Sequence, residues 1–302
     1  MKHIGEVAAL MTAICWSFSS VSFENAGKRV GSLAVNIIRL LIAFFLLSAY
    51  SYITQGIPFP YNATASQWGW LILSGLTGFV IGDLLLFQAL VVVGARIAML
   101  IMSLAPPITA IIGWIFLGEH MSIKEIFGML ITIGGIILVV LRRENKRSEK
   151  EGFRKIAFHY PVYGLLLALG GAIGQGLVLV LSKKGMNGYD PFLSTQIRVI
   201  AAIFGFSIVF TFWKKWADVK MAIKNRVALS WITLGAFFGP FLGVSLSLMS
   251  IQYTSTGVAS TIMAIVPILV IPASIFLFKE KVTIREVIGS IISVIGVAIF
   301  FI

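Results

Sequence analysis

Long apolar stretches separated by short polar turns run the length of this chain. They fall at Ile4–Phe23, Leu33–Ile53, Trp68–Val91, Ile97–Leu117, Ile123–Leu141, Tyr160–Leu181, Phe192–Trp213, Val227–Met249, Gly257–Phe278 and Val282–Ile302. Each is close to the roughly 20 residues a helix needs to cross about 30 Å of hydrocarbon. Barrel strands would instead alternate apolar and polar positions over about ten residues, and no such alternation occurs. The pattern therefore predicts an all-α integral membrane protein with ten transmembrane helices. The first stretch reads as a helix and not as a secretory signal, because no clear small-residue cleavage site follows it and further spans come directly after.

One polar run interrupts this pattern. Arg142–Lys155 (RRENKRSEKEGFRK) divides the chain into a first half, residues 1–141, a basic linker, 142–159, and a second half, 160–302. A shift of 161 residues brings the halves into register without a gap: Trp70 meets Trp231, Gly78 meets Gly239, Gly82 meets Gly243, Pro106 meets Pro267, Glu119 meets Glu280, Gly128 meets Gly289 and Gly135 meets Gly296. A shift of 159 pairs Arg39 with Arg198 in the second helix of each half. Five helices per repeat is an odd number, so the second repeat enters the membrane from the opposite side. Inverted repeats of this kind recur in secondary transporters, with the substrate near the midplane between the halves.

Composition agrees with this reading and removes alternatives. Apolar residues make up 58% of 302 and charged residues 12%, with a mean hydropathy of +0.98. A soluble domain carries about a quarter charged residues. The net charge of +12 sits in short loops between spans, where it acts as a topology signal, so nucleic acid is not an expected partner. With both termini outside, the cytoplasmic loops hold 18 Lys and Arg against 4 on the other face, which is the orientation the positive-inside rule selects. Cys15 is the only cysteine, lies within the first span, and with three scattered His residues offers neither a disulfide nor a metal site.

The stretch Gly82–Gly135, GDLLLFQALVVVGARIAMLIMSLAPPITAIIGWIFLGEHMSIKEIFGMLITIGG, and its counterpart VASTIMAIVPILVIPASIFLFKEKVTIREVIGSIISVIGV in the second half carry a recognisable pattern. It resembles the repeat unit of the drug/metabolite transporter superfamily, specifically the EamA type. The resemblance covers both halves. It implies a ten-helix exporter of small metabolites, often amino acids or related solutes, in the cytoplasmic membrane, with no cofactor and no bound ATPase. No GxxxxGK[ST] phosphate loop is present, in keeping with that. The halves differ at two places, since Val244 stands where the first half has Asp83 and the second half lacks a match to Pro107.

Several residues are candidates for the transport pathway. Pro106 and Pro267 lie mid-helix at matching positions and Pro240 breaks another span, so these three are candidate kinks or hinges. Pro272 adds a further break. Asp83 reads as the one acid well inside a span, where an ionisable group is costly and points to function. Arg39 lies at a similar depth, roughly 9 Å from the cytoplasmic end against roughly 12 Å for Asp83. An Asp83–Arg39 pair is read as structural, each charge offsetting the other's burial; the alternative is that Asp83 carries a coupling proton or meets a substrate amine. Arg198 is read as reaching the outer interface along its long stem, the alternative being a contact with a substrate carboxylate or phosphate.

Trp16 and Ser20 share a stripe of the first helix with Thr12, Ser19 and Phe23, and Gln175 corresponds to Trp16. Met99, Met102 and Ser103 flank one proline, and Ser260, Thr261 and Met263 flank the other. Such a mixed surface suits a moderately apolar organic solute, although for each residue alone packing or interhelical hydrogen bonding is the nearer reading. The rows Ser74–Gly78–Gly82 and Gly235–Gly239–Gly243 read as close-packing faces. Trp68, Trp70, Trp213, Trp216 and Trp231 read as interfacial anchors. Glu119, Glu125, Glu280 and Glu286 read as shaping helix starts. Two other functions compete with transport. An intramembrane enzyme would need paired acids, a His–metal cluster or an activated nucleophile, and a channel would pass solute without saturation.

Overall fold

The computed structural model describes residues 3–108, 111, 122–143, 156–158, 160–254, 256–278 and 282–301. Helices account for nearly all of them. In chain order they are α1 (Ile4–Val30), α2 (Ser32–Gln55), α3 (Ala65–Gly75), α4 (Asp83–Met102), α5 (Ile123–Val140), α6 (Val162–Met186), α7 (Pro191–Phe212), α8 (Trp216–Lys224), α9 (Arg226–Ala236), α10 (Val244–Tyr253), α11 (Thr256–Met263), α12 (Val266–Phe278) and α13 (Ile284–Phe301). Among the described residues, six helical runs are long and apolar enough to cross a membrane, namely Ile4–Val30, Ser32–Gln55, Ala65–Met102, Val162–Met186, Pro191–Phe212 and Arg226–Tyr253. Ile126–Val140 and Val266–Phe276 are shorter apolar helices. The protein is a multi-pass membrane protein. Its exposed side chains fit that solvent: Ile53, Phe276 and Phe45 are 80%, 82% and 68% exposed.

The long run from Ala65 to Met102 is two legs and not one rod. Gly94 breaks it with φ 82 and ψ 162, and residues from both legs, Leu86 and Met102, face the same cavity. Gly31 joins α1 to α2 in the same way, with φ 84. Only glycine visits this region without strain, so a single residue turns the chain at each joint. The sequence pattern places the end of the first helix at Phe23, because Lys28 and Arg29 look like loop. Instead α1 continues to Val30 and carries Glu24 inside, 1% exposed. Glu24 accepts from the Ala95 backbone N–H at 2.7 Å and from Lys28. Asp83 is therefore not the one acid within a helix, a correction that follows from the extra two turns of α1.

The halves are related in the manner the register predicts. Wide π-type turns occupy Leu76–Gly82 between α3 and α4, and Phe237–Gly243 between α9 and α10, 161 residues apart. The breaks that the prolines predict also match. They fall at Ser103–Leu104 and at Ala264–Ile265, three and two residues ahead of Pro106 and Pro267, because a proline ring displaces the carbonyls of the turn before it. At these breaks the backbone tightens, with Leu104 N donating to Ile101 O and Ile265 N to Ile262 O.

The seam between α5 and α13 displays the symmetry most directly. Thr132 Oγ1 donates to Ser293 O at 3.4 Å and Ser293 Oγ donates to Thr132 O at 3.1 Å. Thr132 and Ser293 are themselves 161 apart, so the contact is reciprocal. Gly135 faces Gly289 and Gly296 faces Gly128, which makes the two helices antiparallel and their two-fold axis perpendicular to them. This is an inverted arrangement. Elsewhere α1 packs on α9 and α10, α6 on α3 and α4, and α2 on α7, the pairings the same symmetry requires.

Three elements lie outside what the hydropathy pattern shows. The π turns are one. A second is α8, a short helix in the basic connection after α7, with Val219 and Ala222 buried against the bundle. The third is a small ribbon, Leu141–Arg143 paired antiparallel with Ile156–Phe158, at the two ends of the basic linker. The rest of that linker, the end of the Ile97–Leu117 stretch, Glu119 and Glu280 lie outside the described residues, as do the side chains of Glu125 and Thr261.

Candidate functional site

A cavity of about 150 Å³ lies between the halves. Helix α1 contributes Trp16, Ser19, Ser20 and Phe23, and α2 contributes Arg39. The first π turn and α4 bring Gly78, Phe79, Asp83, Phe87 and Met99, followed by Ser103 and Pro106 at the break. From the second half come Gln175, Arg198, Pro240, Val244, Ser247, Ser260, Met263 and Pro267. Trp16, Ser20, Met99, Ser103, Gln175, Ser260, Met263, Arg39, Asp83, Arg198, Pro106, Pro240 and Pro267 therefore border one space, whereas Thr12 and Pro272 do not line it. Both π turns and both proline breaks border it too, so the helices are irregular where they meet the cavity. Irregular backbone at membrane depth is tolerated where it lines a cavity or is buried in protein.

The first-half charges form a tight structure. The Arg39 guanidinium donates to the Asp83 carboxylate, and its Nε and Nη2 donate to Asn36 Oδ1 at 3.1 and 2.9 Å. Phe87, Phe23 and Phe79 surround it, with ring centroids 4.2, 5.5 and 5.5 Å from Cζ. Arg39 is 2% exposed. The pairing expected from depth alone is thus present. Its companions were legible only in part: Asn36 lies three residues before Arg39 and Phe87 four after Asp83, spacings that share a helix face.

Arg198 corrects an expectation. Its head does not extend to the interface; the residue is 3% exposed and faces the cavity. It is the eighth residue of a 22-residue helix whose first residues, Pro191, Phe192 and Leu193, are themselves buried, so no short route to water is open. Its Cζ sits 4.9 Å over the Phe79 ring, and its Nε has no hydrogen-bond partner. Room for the head comes from Gly78, where a Cβ would lie 3.5 Å from Arg198 Nη2 and 2.5 Å from Val178 Cγ2.

The small-residue rows do pack as expected. Gly82 lies against Gly174, Gly235 and Gly239 against Phe23, and Gly243 against Trp16, while Ser74 and Ser182 share a hydrogen bond of 2.7 Å. Gly75, not part of either row, is also closely packed: its Cβ position is 2.5 Å from Arg198 O. A polar cluster lies beyond the cavity on the linker side. Glu286 accepts from Arg96 at 2.9 Å and from Tyr160 at 2.5 Å, and forms a reciprocal cap with Thr283 at the start of α13. Among the described residues no group of three or more His, Cys, Asp or Glu side chains could hold a metal ion.

The sequence pattern of the EamA-like transporter family matches residues 3–141 and again 162–302. The chain belongs to the EamA-like transporter family. Among relatives, the "Uncharacterized inner membrane transporter YhbE" of Escherichia coli is 28% identical over 139 residues, 46% of this chain and 42% of its own. The "Probable transport protein YPL264C" of Saccharomyces cerevisiae is 28% identical over 197 residues, 62% of this chain and 53% of its own. The "Uncharacterized transporter YoaV" of Bacillus subtilis is 26% identical over 136 residues, 44% of this chain and 46% of its own. The chain thus spans about half the length of these relatives. A solved crystal structure aligns over 99% of this chain and 96% of its own with a TM-score of 0.61 and 15% identity, a likeness of fold alone. The EamA-like description and the relatives' names are those of transporters, not enzymes.

Proposed function

We propose that this EamA-like protein is a secondary transporter that exports small organic metabolites, such as amino acids or related solutes, across the cytoplasmic membrane. The carrying observation is the cavity between inverted halves, bordered from both sides by helix breaks. The proposed bundle has ten spans, five in each of residues 1–141 and 160–302, with 142–159 as a cytoplasmic linker and both termini outside. The joint at Gly94 supports two spans within Ala65–Met102, since 38 helical residues would measure about 57 Å. Substrate contacts fall to Trp16, Ser20, Met99, Ser103, Gln175, Ser260 and Met263, and alternating access bends the bundle at Pro106, Pro240 and Pro267. An apolar cavity of roughly this volume takes a benzene-sized molecule, which favours an organic solute over a bare ion.

Proteoliposomes offered a mixed metabolite pool, with and without a pH gradient, test this reading. Saturable uptake of one chemical class is the expected result. Absence of flux from folded protein would remove it, and flux without saturation would make the protein a channel. Asp83→Asn in parallel reads coupling: gradient-driven uptake at full rate in that variant would exclude Asp83 as the proton carrier and leave it the partner of Arg39.

A further inference from the structure

The two arginines that match across the repeats are unequally provided for. Arg39 has the Asp83 carboxylate and the Asn36 oxygen. Arg198 is equally buried, faces the same cavity, and has no ion pair among the described residues. Asp83 corresponds to Val244, which also borders the cavity. The second half therefore keeps the cation and lacks the anion.

Among the described residues, the charged side chains bordering the cavity are Arg39, Asp83 and Arg198, which sum to a single positive charge. Burying one charge without a partner is costly enough that it is normally matched. Neighbouring hydroxyls do not supply the match, because they carry no charge and their hydrogens point away to backbone carbonyls. Ser20 donates to Ser17 O at 3.0 Å, Ser103 to Leu100 O at 2.6 Å and Ser247 to Val244 O at 2.8 Å. Among the described residues, the charged donor without an ion-pair partner at this cavity is the Arg198 guanidinium, its Nε unpartnered. The same cavity is bordered by the apolar side chains of Met99, Leu90 and Met263, the first and last 8% and 6% exposed and Leu90 1%.

We infer that the cavity binds a monoanionic organic carboxylate of about benzene size, its carboxylate on Arg198 and its apolar body against the methionines. A guanidinium presents its N–H donors as a fork that fits a carboxylate. One negative charge neutralises the site, whereas a phosphate dianion would leave it with a net negative charge. This inference rests on the transport reading for its role but not for its test.

The test is binding to the purified full-length protein in detergent by three shape-matched probes: benzoate, benzamide and benzamidine. Benzoate is expected to bind at least about tenfold more tightly than the other two, the usual worth of a charge-assisted hydrogen bond. R198Q should abolish that preference. V244D, which offers Arg198 an internal carboxylate, should weaken benzoate about tenfold or more by the same reasoning, and V244N should not. Benzamide binding as tightly as benzoate would overturn the inference, as would V244D and V244N binding benzoate alike; the latter pair decides the matter even if R198Q does not fold. Flux separates the two readings. Saturable uptake of neutral or cationic solutes without a carboxylate preference leaves the transporter standing and removes the anion site, while benzoate binding with no flux of any solute does the reverse.

Discussion

Replacing Asp83 by Asn takes away the one negative charge beside Arg39 and keeps the shape. Arg39 then remains 2% exposed as an unmatched cation. Removing one partner of a buried ion pair typically costs about 3–5 kcal/mol. Two features place this case at the lower end. Asp83 is the more accessible partner, 15% exposed toward the cavity, and the Arg39 head retains Asn36 and its three aromatic rings. We expect D83N to lose about 3 kcal/mol, and R39M/D83L, which removes both charges and keeps volume, to stay within about 1 kcal/mol of wild type. Reversible unfolding by SDS in mixed micelles, followed by tryptophan fluorescence, measures both. A D83N variant within about 0.5 kcal/mol of wild type, the scatter of ordinary surface changes, would refute the structural pairing. A double variant as unstable as the single one would show that packing, not charge, decides.

Gly135→Ala should cost about 1–3 kcal/mol by overpacking, because its Cβ would lie 2.5 Å from Ser293 Oγ and 2.6 Å from Gly289 O; the same unfolding assay reads it. Gly94→Ala should cost about 1–3 kcal/mol through backbone strain at φ 82, with its methyl 3.3 Å from Glu24 Oε1, and lower the yield of folded protein. A membrane-impermeant maleimide should leave the native protein unlabelled, since Cys15, its one thiol, is 2% exposed. On that background, a cysteine at Tyr61 should label in intact cells and one at Met221 only after permeabilisation, both sites being well exposed; the opposite pattern would reverse the orientation.

Much of this architecture is written in the one-dimensional pattern, because membrane helices must be long and apolar whatever else they do. The duplicated prolines and glycines were equally legible, and the residues they flank do converge on one cavity. The gaps have physical causes. The end of α1 was hidden because Lys28 and Arg29 look like loop until Glu24 is seen to pair with one of them. The π turns were hidden because Gly78 and Gly82 satisfy a close-packing pattern equally well. The setting of Arg198 was hidden because depth along a helix gives no hint of which side of the bundle a side chain faces. For Arg198 the deciding fact is a contact between helices distant in sequence, its guanidinium over the Phe79 ring.

The reciprocal seam has a consequence for assembly. Thr132 and Ser293 exchange bonds as a C₂ dimer's matched residues do, so each half carries an edge complementary to its own inverted copy. Two separate chains cut within the basic linker should thus find one another in the bilayer, provided they insert in opposite senses. The Lys and Arg bias of the loops then acts as an assembly rule: it sets each fragment's sense of insertion, and only fragments of opposite sense present edges that fit.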